Sequence, residues 1–167
     1  MCPVTKRVAT IGLLALTLVV APRCNPGQAD PAVSTLKGIK TVYVLIEHLS
    51  GGATELGLTD DTVQTDVELK LRLAGLVVVT HEEGFKVPGS PHLYVNLNVT
   101  NGAEAASVHL ELQQNATLER NGQLAFGVGT WSRGKLIAHP SDRVIRDEIK
   151  DLTDQFLNDW LAANPKK

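Results

Sequence analysis

From Pro91 to Thr100 apolar and polar residues alternate without a break. Leu93, Val95, Leu97 and Val99 fall on one side, and His92, Tyr94, Asn96, Asn98 and Thr100 on the other. Successive side chains of a strand point to opposite faces, so the stretch predicts a half-buried strand. One face belongs to a core; the other meets water or a partner. Earlier, Ile39 to Leu49 is a β-branched run with Val42, Val44 and Ile46 on one face and Tyr43 and Leu45 on the other. A strand apolar on both sides is expected inside a sheet rather than at its rim. Ser50, Gly51 and Gly52 end it. Thr59 is placed to cap a helix, with Asp60 and Asp61 in the first turn, where carboxylates complement the helix dipole. Val63, Val67, Leu71 and Ala74 make its buried stripe, and Gly75 follows its end. Leu76 to Thr80 resumes as a strand, and strand, helix, strand predicts a right-handed crossover between parallel strands.

His81 to Gly89 reads as a loop, and Asn101-Gly102 as a turn into Ser107–Glu119. There Val108, Leu110 and Leu112 alternate with His109, Glu111 and Gln113. Asn121-Gly122 is the sequence of a two-residue type I′ hairpin, in which both central residues need positive φ. The returning strand is Gln123 to Trp131. Such a loop pairs Arg120 with Gln123 and Leu112 with Trp131, which leaves Leu124, Phe126 and Val128 on the side of Gln113, away from Leu110 and Leu112. A bulge within Gln113 to Ala116 is expected to restore the face; the alternative is apolar residues on both sides. Pro140 and Ser141 introduce a final helix with Asp142 in its first turn, and Ile145, Ile149, Leu152, Phe156 and Trp160 recur at helical spacing. Asn164 and Pro165 stop it about 33 Å later at the usual rise per residue. The predicted fold is α+β, a mixed five-stranded sheet with two helices packed on one face in the order βαββββα. It occupies residues 38–164 as a single α/β sandwich domain, and residues 30–37, which show no period, form a flexible N-terminal tether.

Ahead of that tether stand Lys6 and Arg7, an apolar run from Val8 to Ala21, and the segment PRCNPGQA, whose small Gly27 and Ala29 suit cleavage after Ala29. This is the pattern of a secretory signal peptide over residues 1–29. The run is too short to favour a retained membrane anchor, which needs roughly 20 apolar residues. Cys24 raises the possibility of a lipid anchor, but Pro22 and Arg23 precede it where a lipobox has small residues, so lipidation is disfavoured. Cys2 and Cys24 both lie in the segment expected to be removed, and disulfides and thiol chemistry go with them. The whole chain has 16 basic and 18 acidic residues. Removing residues 1–29 takes Lys6, Arg7 and Arg23 and no acid, so 13 bases face 18 acids, a net charge of −5. That balance argues against nucleic-acid binding, which needs a basic footprint. The location expected is periplasmic or secreted, with no membrane span after cleavage.

Histidines stand at 48, 81, 92, 109 and 139, with no spaced pair of the kind that holds zinc on a helix. No metal or other cofactor is expected. His109 and Glu111 share one side of a strand, and His92 lies on the facing side of its neighbour. This is the one grouping from which acid-base chemistry can be assembled, although an ordinary polar sheet face has the same pattern. No serine sits in a nucleophile elbow. Gly127 and Gly129 lie in a strand with no helix after them to bind phosphate, which rules out a dinucleotide-binding motif and predicts room for a bulky neighbour such as Trp131 or a helix. His92, Tyr94, Asn96, Asn98, His109 and Glu111 are therefore the candidate binding residues, and no catalytic residue is assigned.

The element order over Ile39 to Ala163 resembles that of the N-terminal domain of the Tol-system propeller protein and of small lipopolysaccharide-assembly lipoproteins. Segments such as TDVELKLRLAGL and PHLYVNLNV also resemble a family of small secreted bacterial proteins that supplies no activity. The resemblance implies an assembly module and transfers no functional residue. Three functions are expected in order of preference. The first is a non-enzymatic interaction module that binds a protein partner, or a second copy as a homodimer, through an exposed strand edge or the outer sheet face. The second is a carrier of a small apolar ligand, held between sheet and helices or near Tyr43, Tyr94 and Phe126. The third is a hydrolase using His92, His109 and Glu111.

Overall fold

The computed structural model describes residues 30–165. The segment read as a signal peptide, with Cys2 and Cys24, lies outside the described residues. Five strands form one mixed sheet: β1 (Thr41–Ile46), β2 (Val77–Val78), β3 (His92–Val99), β4 (Ala105–Thr117) and β5 (Leu124–Ala138). The spatial order is β2-β1-β3-β4-β5. β1 lies parallel to both β2 and β3, while β3–β4 and β4–β5 are antiparallel. Two long helices, α3 (Asp60–Ala74) and α5 (Asp142–Ala163), cover one face. Short helices α1 (Pro31–Ser34), α2 (Gly51–Glu55) and α4 (His81–Gly84), with a single 3-10 turn at Asn101–Ala103, complete the described elements.

The alternating strands bury what their patterns predict. Leu93, Val95, Leu97 and Val99 meet Val108, Leu110 and Leu112 beneath Val63, Val67 and Leu71 of α3 and Ile145, Ile149, Leu152 and Phe156 of α5. Thr59 caps α3 by accepting from the Thr62 amide at 3.2 Å, and Gly75 ends it at φ 102°. Across the solvent side of the helix pair, Arg146 donates to both oxygens of Asp66, at 2.8 and 3.1 Å. The hydrogen-bonded guanidinium holds the Asp66 carboxyl below its ordinary value of 3.8, against the opposing effect of burial. On the sheet side of α5, Asp159 accepts from the Trp131 indole at 2.8 Å and from Arg133 at 3.1 Å, which ties β5 to the helix.

Four local predictions are corrected. Residues 30–37 are packed rather than a tether: Asp30 caps α1 through the Ala32 amide at 3.0 Å, and Leu36 is fully buried. The end of α5 holds this segment in place. Asn164 donates to the Leu36 carbonyl at 3.0 Å and accepts from Gly38 at 2.7 Å, and the Trp160 indole donates to the Ile39 carbonyl at 2.8 Å. The strand expected over Leu76–Thr80 shrinks to two residues. Thr80 and Glu83 form a reciprocal capping box that opens α4 where the strand was to continue. The expected loop 81–89 accordingly begins with a helical turn.

The hairpin differs as well. Leu118 pairs with Gln123 at 2.8 Å, so the loop holds four residues, and of its Asn-Gly pair only Gly122 has positive φ. Two one-residue irregularities, both with the extra residue on β5, then offset the longer loop. Gln113 faces Gly129 while Leu112 faces Trp131, and Gln114 faces Val128 while Ala116 faces Ala125. Leu112 and Trp131 thus meet as predicted, by a different route. The first bulge moves Val128 to the helix side with Gln114, and the second returns Leu124 to the side of Thr117 and leaves Phe126 75% exposed.

Replacing Leu36 by Ala should cost about 2–5 kcal/mol, the usual range for a fully buried leucine. Urea unfolding measures it, and a cost near zero would mean that the N-terminal segment is not anchored. Because the Asp66 carboxyl is depressed, its stabilisation is present above its ordinary value and is lost as pH falls through the folded one. Asp66→Asn should lower stability by about 0.5–1 kcal/mol near neutral pH. The gap between variant and parent should close well below pH 3.8, where both carry a neutral side chain.

Candidate functional site

The face of the sheet opposite α3 and α5 carries the predicted polar residues, and cross-strand register decides which of them meet. Tyr94 lies opposite Glu111, Asn96 opposite His109 and His92 opposite Gln113. His92 Nε2 is 3.1 Å from Gln113 Oε1, Gln113 Nε2 donates to Glu111 Oε2 at 3.3 Å, and His109 Nε2 lies 4.0 Å from the same Glu111 oxygen. The six predicted residues therefore share one face, with Gln113 as the link that joins two of them. Neither imidazole is hydrogen-bonded to the Glu111 carboxylate, so His92, His109 and Glu111 form no proton-transfer pair in this arrangement.

His92 differs most from its prediction as an exposed binding residue. It is 7% exposed, its Nδ1 lies 3.2 Å from the Ser90 carbonyl, and its ring stacks on Tyr43 at 4.6 Å between centroids. The cause is α4, which the sequence pattern did not show. His81 and Phe85 fold over Tyr43, and Gly84 comes so close that a Cβ there would overlap the tyrosine ring. Among the described residues the outer face is thus covered above β1 and the His92 end of β3, and open above the rest of β3 and above β4 and β5. Tyr43 and Phe126, expected to flank one apolar patch with Tyr94, are separated: the first is buried and the second stands at the far hairpin.

Tyr94 remains on the open part, where its phenol donates to Glu47 at 2.5 Å. That hydrogen bond, with a lesser contribution from burial, pushes the phenol up to about 12. Asn98 donates to Asn96 at 2.6 Å beside it. Two glycines of β5 keep the surface flat. A Cβ at Gly129 would overlap the Glu111 carboxylate, and one at Gly134 would stand 3.0 Å from His109 Nδ1. The room predicted at Gly129 is therefore taken by the Glu111 side chain, not by Trp131 or a helix.

The open face runs into an open edge. His139 donates to the Glu104 carbonyl at 2.8 Å, and from that pair the antiparallel register turns Trp131, Arg133, Lys135 and Ile137 towards β4. Ser132, Gly134, Leu136 and Ala138 direct their backbone groups the other way, off the sheet. Arg133 covers the Ser132 carbonyl at 2.9 Å. Leu136 stands beside these groups, 79% exposed. On the helix side Lys135 lies 3.5 Å from Glu148, and Arg133 reaches Asp159. Sequence reading missed Gln113 and Glu47 as members of this surface. Gln113 continues the His109 and Glu111 alternation and was legible; nothing in sequence spacing brings Glu47 to Tyr94.

Among the described residues, no group of three or more His, Cys, Asp and Glu side chains is arranged to hold a metal ion. Nor is any helix among them long and apolar enough to cross a membrane. No protein-family model matches the chain, and no curated protein matches it. Among solved structures it is similar to a point variant of the PelC dodecamer from Paraburkholderia phytofirmans. The sequence identity is 14% and the TM-score 0.42, and the match covers 74% of this chain and 89% of that one. No residue role is carried over from it.

Tyr94 should titrate at about 12. In Glu47→Gln, which keeps an acceptor and removes the charge, its midpoint should fall towards the ordinary value of 10. Tyrosinate absorbance during alkaline titration measures both, and an unchanged midpoint in the variant would rule out Glu47 as the cause.

Proposed function

We propose that the chain is a non-enzymatic interaction module of the periplasm or the secreted space, and that it binds a protein partner by adding a strand to β5. The observation that carries this reading is the edge of β5 from Ser132 to Ala138, which no strand among the described residues pairs and on which Arg133 covers the Ser132 carbonyl, next to the exposed Leu136. Unpaired strand edges accept another strand through backbone hydrogen bonds, while alternate side chains set specificity. Leu136 and Ala138 supply an apolar strip at one end of the edge, and Ser132 and Gly134 lead into the polar face of His109, Glu111, Tyr94, Asn96 and Asn98. A bound strand has both a hydrogen-bonding rail and a flat surface to lie against. The location rests on the residues 1–29 pattern, with Lys6 and Arg7 ahead of an apolar run.

Leu136→Pro tests the reading because the Leu136 amide points off the sheet. Proline there removes no internal ladder bond, whereas at Lys135 it removes one. With a photocrosslinker at Ser132, the parent should give one discrete adduct in cells. Leu136→Pro should abolish that adduct and leave the melting temperature within about 3 °C, a shift worth less than about 1 kcal/mol for a chain of this size. Persistence of the adduct in a folded Leu136→Pro variant would sink the proposal.

A further inference from the structure

At the opposite rim of the sheet, β1 continues where β2 stops. Val77 donates to the Lys40 carbonyl at 2.9 Å and Val79 to the Val42 carbonyl at 3.0 Å. Even-numbered residues of β1 therefore turn their backbone towards β2. Odd-numbered ones turn the other way, as Tyr43 donating to Pro91 and Glu47 donating to Val95 show. The next even-numbered residues, Val44 and Ile46, direct two N–H and two C=O groups to the β2 side, past the point where the capping box has turned the chain into α4. These backbone groups open onto a cleft of about 550 Å³. Its far wall is one polar stripe of α3, with Asp60, Gln64, Glu68 and Arg72 at intervals of four, and Glu83 of α4 stands across from it.

Three properties of this cleft converge on one class of ligand. Donors and acceptors recur two residues apart along β1, the repeat with which an extended chain pairs. The volume falls within the range of about 300–1,000 Å³ usual for ligand sites. Three carboxylates, Asp60, Glu68 and Glu83, line the cleft with Arg72 and His81; Glu68 binds Arg72 at 2.7 Å, Asp60 lies 3.8 Å from His48, and Glu83 accepts from the neutral Thr80. That excess of negative charge favours basic side chains and disfavours phosphates and acidic peptides. We propose that the cleft takes an extended, basic segment of another polypeptide as an added strand beside β1, between α3 and α4. This site is separate from the β5 edge and does not depend on it.

The test uses the full chain and a capped hexapeptide of alternating Lys and Val. On titration, the Val44 and Ile46 amides should shift in NMR spectra, and their hydrogen exchange should slow at least tenfold. The matching Glu/Val peptide should bind at least tenfold more weakly. A Lys/Val peptide N-methylated along one edge should lose that binding. Gln64→Trp, which fills the cleft from the helix surface, should abolish the shifts while leaving the circular dichroism and the Ser132 adduct unchanged. Equal binding of the Lys and Glu peptides, no binding at millimolar concentration, or shifts confined to Ser132–Ala138 would each overturn the proposal. The last of these would leave the β5 reading standing.

Discussion

The apolar faces of β3 and β4 are buried on one side only, beneath α3 and α5, and this one-sided core governs the rest of the molecule. A sheet with both long helices on one face must leave its other face to polar residues or cover it by some other means. Both outcomes occur here. Above β1 the short α4 closes over Tyr43 and His92, while above β3, β4 and β5 the face carries the Tyr94, Glu111 and His109 side chains. The helix pair itself is set by two buried stripes and pinned at its solvent side by the Asp66–Arg146 pair. Its far end then positions the N-terminal segment, since Trp160 and Asn164 reach the Ile39 and Leu36 carbonyls.

The two rims of the sheet are unequal for a local reason. At β2, a capping box two residues downstream ends the strand early and turns the chain into α4, so β1 is left with half of its side unpaired in a cleft. At β5, fifteen residues follow one another in a strand paired along β4, with Trp131 and Ile137 of its helix side buried. Lys135 and Arg133 stand on the helix side of that edge in ion pairs, which guard it against indiscriminate pairing. The outer side, with Gly134, Leu136 and Ala138, has no such guard among the described residues. A strand approaching β5 therefore meets charge on one side and a flat, partly apolar surface on the other.

The glycines of β5 matter through what lies on them. With any larger residue at Gly129 the Glu111 side chain would have to lift away from the sheet, and one at Gly134 would crowd the His109 ring at 3.0 Å. Lying flat, they bring Glu111 within reach of Gln113, and Gln113 within reach of His92. His92, Gln113 and Glu111 are thus joined in one run on the polar face, beside the separate pairs Tyr94–Glu47 and Asn96–Asn98. The acidic members of this face, Glu47 and Glu111, are hydrogen-bonded by Tyr94 and Gln113 respectively.

Features that rest on neighbouring residues were legible in the chain before any folding is considered. The sequence placed α3 and α5 with their caps, the apolar faces of β1, β3 and β4, the mixed sheet with both long helices on one face, and the polar side shared by Tyr94, Asn96, Asn98, His109 and Glu111. The faces follow from repeats of two or about 3.6 residues, which local chain geometry enforces, the caps from residue types at the helix ends, and the sheet from the order of its elements. Tertiary structure decided the remainder, where competing local preferences are close in energy. A capping box outweighed strand propensity at Thr80, a four-residue loop outweighed a two-residue turn at Asn121-Gly122, and bulges at β5 restored the register that the longer loop had shifted. The burial of Leu36 and His92 was likewise invisible in advance. It depends on α5 and α4 arriving from elsewhere in the chain, and no local pattern records which distant element will cover a given side chain.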